Sequence, residues 1–206
     1  MRPITRLACA GLMATAGLLA GCATGYKLDN QVQSFSSLPA AASQLSYRFD
    51  RTPSQQADPN QAQLEAFADQ ALFQAGFRRN DAAPRFAVQV TARVQPMLSP
   101  YADPWDRFGW GFGGWGWGRH GGLGIGFGTR LGDSPWYHRE VNVIVRELAS
   151  NKVVYETRAV NDGPWLDNTS VLPAMFHAAL QGFPNPPQGV RRVDIQVGGE
   201  KKAAAS

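Results

Sequence analysis

The chain reads as an α+β domain: a mainly antiparallel β-sheet with two helices packed on one face, plus a Gly/Trp-rich insertion between central strands. Three observations point there. The strand-like segments alternate apolar and polar residues, the period of half-buried strands, rather than running wholly apolar. Two of them join through a tight turn at Asn151-Lys152, which makes consecutive strands neighbours. Two further segments each carry one apolar stripe at helical spacing, so each needs a sheet face to cover. Strand order does not follow from any of these.

Taken in order, Val32 to Phe35 fits a first strand, and Leu45, Tyr47 and Phe49 alternate with Ser46, Arg48 and Asp50 as a second. A helix follows. Asp58 suits its N-cap and Pro59 its first position. Leu64, Phe67, Ala68, Ala71, Leu72 and Ala75 form its stripe, and Gly76 can take the left-handed conformation that ends it. Phe86, Val88, Val90, Ala92 and Val94 then alternate with polar residues over 85–95. Val141, Val143 and Val145 start a strong strand, and Val153 to Val160 returns from the turn. A second helix starts near Asn168 to Ser170, with Pro173 placed in its first turn. Leu172, Met175, Phe176, Ala179 and Leu180 make its apolar face, and Gly182 and Pro184 stop it. Val193, Ile195 and Val197 suggest a last strand, and 199–206 a frayed tail.

The N-terminus has the parts of an export signal. Arg2 and Arg6 are basic, Leu7 to Leu19 is apolar, and small residues precede Cys22. That stretch is short for a spanning helix, which needs about 20 apolar residues. Leu19-Ala20-Gly21-Cys22 resembles the lipobox of bacterial lipoproteins. The resemblance implies that residues 1–21 are removed and that Cys22 is acylated. One acyl chain holds only marginally, at ~0.8 kcal/mol per buried CH₂, whereas two or more hold stably. Ala23 in place of Asp implies, by the same resemblance, the outer membrane, facing the periplasm. Residues 22–30 read as a lipidated tether and 31–198 as a single domain. With Cys9 removed and Cys22 acylated, the mature chain has no free thiol, no disulfide and no thiolate metal site. Its formal charge falls from +4 to about +2 when Arg2 and Arg6 leave, too little to suggest a nucleic-acid partner.

The succession of strand Ser46-Tyr47-Arg48-Phe49, helix Leu64 to Gly76-Phe77, strand Phe86 to Val94, hairpin Val141 to Val160 and helix ending in Gly182-Phe183-Pro184-Asn185-Pro186-Pro187 resembles the domain-of-unknown-function family 4136. That is a family of bacterial envelope lipoproteins, and the likeness covers most of residues 26–197. It implies an α+β fold and an envelope location. It implies no known activity and hands over no catalytic residue. The chain departs from the family at Pro100 to Pro135, which is unusually rich in glycine and tryptophan.

Within that stretch Trp110, Phe112, Trp115 and Trp117, then Leu123, Ile125 and Phe127, alternate with glycines around Arg119-His120-Gly121-Gly122. Two strands with one aromatic face and one bare face fit this pattern. A flexible low-complexity loop fits it too, because glycine raises the entropy cost of ordering. A further reading is a surface that meets lipid headgroups, glycan or an envelope partner through Trp105, Trp110, Phe112, Trp115, Trp117 and Phe127. Another is a membrane-spanning hairpin of an oligomeric outer-membrane assembly. The insertion, taken over residues 100–137, enters between two strands that read as complete, so it should project from the sheet and not fill its core.

Motifs for chemistry are sparse. Gly109 to Gly114 matches G-x-G-x-x-G, but inside a glycine repeat and without a following helix. His120, His138 and His177 do not gather at metal-ligand spacing. Asp103 and Asp106 bracket Trp105 and offer a carboxylate pair for a glycan- or peptidoglycan-acting enzyme, although aspartates beside Pro104 more commonly make turns. Asp162-Gly163-Pro164 reads as a turn, and Asn168-Thr169-Ser170 as a helix cap. The expectation is a structural or interaction protein that is not an enzyme, without cofactor or metal, whose partners are the membrane through Cys22 and an envelope protein or glycan.

Overall fold

The computed structural model describes residues 25–39, 44–97, 99–100 and 135–198. The chain runs β1 (Tyr26–Ser36), β2 (Ser46–Phe49), α1 (Pro53–Gln56), α2 (Gln61–Gln74), β3 (Arg78–Arg79), β4 (Phe86–Met97), β5 (Trp136–Glu147), β6 (Lys152–Gly163), α3 (Asn168–Leu180) and β7 (Val190–Val197). The seven strands make one sheet in the order β3-β2-β4-β5-β6-β1-β7.

That sheet is mixed, which corrects the expectation of a mainly antiparallel one. β2 runs parallel to β3 and to β4, whereas β4–β5, β5–β6, β6–β1 and β1–β7 are antiparallel. The connection explains it. The chain leaves β2, crosses through helices, and returns to pair on both edges of β2. A helical crossover brings the strands it joins into the same direction.

The helices also differ from expectation. There are three among the described residues. α1 is closed by a capping box in which the Thr52 hydroxyl accepts from the Gln55 N–H and the Gln55 side chain accepts from the Thr52 N–H at 3.0 Å. Asp58 and Pro59 precede α2 and do not open it. Its N-cap is Asn60, and Asp58 Oδ1 instead accepts from the Asn60 N–H at 2.8 Å. Pro173 lies inside α3, beyond its first turn, where it removes one helical donor. β1 begins at Tyr26, so strand occupies much of what reads as tether, and β5 begins at Trp136, so the last two residues read as insertion, Trp136 and Tyr137, are strand.

Apart from Ala87, the buried apolar strand positions share one parity: Leu28 and Val32, Val88 and Val90, Val141, Val143 and Val145, Tyr155 and Ala159. Ala68, Ala71 and Leu72 of α2, and Val171, Leu172, Met175, Phe176 and Ala179 of α3, close over that face into one cluster. Toward the β5–β6 turn its centre is Phe77, with ring centroids 4.9 Å from Phe183, 5.8 Å from Tyr47 and 6.2 Å from Phe86. Glu65 is buried on α2 beside this stripe. Arg51 grips it with two hydrogen bonds at 2.5 and 2.6 Å, which explains why a helix face can hide a carboxylate. The other face of the sheet carries cross-strand polar pairs, Glu140 with Arg158 and Asp29 with Arg192, each at 2.6 Å.

Candidate functional site

One end of the sheet gathers the start of β1, the end of β4, the start of β5 and the ends of β6 and β7. The registers Met97↔Trp136, Tyr137↔Gly163 and Tyr26↔Val197 place them together. Here the covered face turns polar. Arg139 is in phase with Val141, Val143 and Val145, so the pleat points it inward, and it is 1% exposed. Its Nε donates to Asn168 Oδ1 at 2.8 Å and its Nη2 to the Trp165 carbonyl. Its Nη1 has no acceptor among the described residues. The guanidinium lies 4.8 Å from the Tyr137 ring centroid. Burial draws the Arg139 pKa below the ordinary arginine value, but a guanidinium stays charged in proteins.

Its cross-strand partner Asn161 is buried too and donates to the Asp29 carbonyl at 2.9 Å. On β1, Asn30 donates to the Val193 carbonyl at 3.1 Å and ties β1 to β7. Trp165 closes the end by stacking on Tyr26, centroids 3.9 Å apart. Asp162 and Gly163 are not a turn but the last residues of β6. A Cβ at 163 would meet the Trp165 ring at 2.9 Å, so only glycine admits the indole there. Burial raises the Tyr26 phenol, and the nearby Asp167 charge adds to it. Asp167 itself is the N-cap of α3, accepting from the Thr169 N–H at 2.9 Å, so the cap is this residue and not Asn168-Thr169-Ser170. Hydrogen bonds from Ser170 and Thr169 hold its carboxyl below the usual range.

This arrangement positions groups. Arg139 holds the 165–168 segment against the sheet, and so sets the Trp165 ring over Tyr26 and the cap on α3. Among the described residues no three of His, Cys, Asp and Glu gather as metal ligands, and no helix is long and apolar enough to cross a membrane.

Cys22, Trp105, Trp110, Phe112, Trp115, Trp117 and Phe127, together with Asp103, Asp106 and His120, lie outside the described residues. The structure does not bring His138 and His177 together. His138 Nδ1 lies 2.6 Å from Asp162 Oδ1 on the uncovered face. His177 lines a groove of ≈ 550 Å³ between α2, α3 and the end of β7, with Phe67, Thr169 and Ile195. Sequence reasoning missed Arg139, Asn161, Asn30 and Trp165. Parity held the signal for the first two: each continues an inward-facing set with a polar residue.

No curated protein matches the chain. Among solved structures it is similar to a PelC dodecamer from Paraburkholderia phytofirmans, at 13% identity over 73% of this chain and 94% of that one, with a TM-score of 0.43. It is also similar to a PDZ domain protein from Parabacteroides distasonis, at 9% identity over 89% of this chain and 41% of that one, with a TM-score of 0.45. The family model for the domain of unknown function DUF4136 matches residues 29–185, which span β1 to the residues just past α3, and the chain belongs to that family.

Proposed function

We propose that this is an envelope lipoprotein, held to the outer membrane by acyl chains on Cys22 and facing the periplasm. Its domain acts as a non-catalytic scaffold that presents the 98–135 connection to an envelope protein or glycan. One observation carries the scaffold reading. β4 and β5 stay in continuous register from Phe86↔Glu147 to Met97↔Trp136, so that connection leaves from the tip of a finished ladder. The described core meanwhile closes between α2, α3 and the sheet. This geometry supports a binding role for the connection.

Excising Gly109 to Gly128 with a short linker tests this. The thermal midpoint should stay near that of the parent, because halving a loop changes closure entropy by only about 0.6 kcal/mol. Binding to isolated envelopes, beyond what the anchor provides, should fall. A variant that fails to fold, or one that folds and binds as before, overturns the scaffold reading. Mass spectrometry of the N-terminal peptide tests the anchor: it should begin at an acylated Cys22.

A further inference from the structure

We propose that the Tyr26–Trp165 end of the sheet rests on the membrane surface, so that the strands stand away from the bilayer and do not lie along it. The inference rests on the Cys22 anchor. Chain length is the first argument. Gly25 is pressed against the end of β7, where a Cβ would come within 2.4 Å of the Gly198 carbonyl oxygen. Only Ala23 and Thr24 separate it from Cys22. Three residue steps span at most about 10 Å. Gly25, just before β1, therefore cannot stand further than that from the backbone of the acylated Cys22. The opposite end lies 12 residues of β5 away, about 35–40 Å at the rise of a strand. Exposed apolar side chains occur there as well, Phe35 and Val190 among them, but the tether fixes only the near end at the bilayer.

The chemistry of the near end is the second argument. Tyr26, Trp165, Trp136 and Tyr137 are each partly exposed there. Tyrosine and tryptophan favour the water–lipid boundary, where the ring meets an apolar phase and the N–H or O–H stays wet. Leu166, 68% exposed, and Met97, 45% exposed, stand beside them. Leu166 follows Trp165 directly, and the hydrogen bonds of Arg139 to Trp165 and Asn168 brace the segment that presents it.

The full-length, processed protein in vesicles of phosphatidylethanolamine and phosphatidylglycerol tests this. The mature chain has no thiol besides Cys22, so single cysteines can be labelled cleanly. Leu166→Cys and Met97→Cys report the near end, and Leu148→Cys, in the β5–β6 turn, reports the far end. All three sites are exposed, so a fluorophore is tolerated. Nitroxide-bearing lipid should quench the labels at 166 and 97 several-fold more than the label at 148. If the protein co-floats with vesicles but the three are quenched alike, or 148 is quenched most, the orientation is wrong and the anchor stands. If Cys22 carries no acyl chain and the protein does not co-float, the anchor reading and this inference fall together.

Discussion

The covered face of the sheet differs from end to end. Toward the β5–β6 turn, Tyr47, Phe77, Phe86, Tyr155 and Phe183 pack ring against ring, Phe183 and Tyr155 at 5.0 Å. At the other end β5, β6 and β1 carry Arg139, Asn161 and Asn30 inward, each with a buried polar atom that finds no hydrogen-bond partner among the described residues. Neither end is pure, since the Tyr155 hydroxyl is also buried, near Ser34 and Thr157. The difference teaches where stability and constraint reside. Aromatic packing is non-directional and strong in proportion to the area it buries. A buried guanidinium contributes little net stability after desolvation, but it fixes the few carbonyls and amides it touches. The aromatic end holds the domain together, and the polar end aims a loop.

Phe77→Ala should break that contrast most severely. It removes the ring that joins Tyr47, Phe86 and Phe183, and should cost about 3–5 kcal/mol in urea-induced unfolding. Arg139→Met should cost less, about 1–2 kcal/mol, because two charge-assisted hydrogen bonds are lost while a desolvated cation disappears. Its signature is local. Amide exchange over 164–168 should rise, and the near-UV circular dichroism of the Tyr26–Trp165 stack should fade. A loss as large as that of Phe77→Ala would erase the distinction between the ends.

Acid should affect both ends modestly. Asp167 at the polar end is held below its ordinary 3.8 by Ser170 and Thr169, and Glu147 at the other end is held below 4.5 by Ser150 and Arg85. Carboxyls depressed in the folded state add stability that is complete above their ordinary values. That stability is lost as pH falls through the lower folded ones. The thermal midpoint should therefore drop as pH falls below 4.5 and 3.8, and Asp167→Asn should flatten part of that slope. The smallest effect belongs to the uncovered face. Arg158→Ala removes an exposed pair with Glu140 and should shift stability by under about 1 kcal/mol, less in high salt.

Much of the fold was legible because it depends on local periodicity. The alternation Phe86 to Val94 and the α2 stripe stand where the pattern puts them, Gly76 has φ +98°, and the hairpin turn falls at 148–151, so that Lys152 already opens β6. α1 was legible in principle, since Thr52-Pro53-Ser54-Gln55 is a capping-box sequence with proline at the first helical position. β3 was not. Arg78 and Arg79 have no period to read, and they are strand only because β2 offers them an edge. The polar end was half legible. Arg139 and Asn161 continue inward parity, whereas the stacking of Trp165 on Tyr26 joins residues 139 positions apart and leaves no local trace.

By itself the sequence determined the α+β class, the family likeness, the helix faces and the strand parities, because each of these is set by neighbours within a few residues. Tertiary structure alone decided that β2 runs parallel to β3 and β4, and that β1 lies between β6 and β7. It decided as well that Arg139, Trp165 and Tyr26 meet at one end of the sheet. Those outcomes turn on which edges and faces are still free once the rest of the chain has packed, a property of the whole assembly that no local period records.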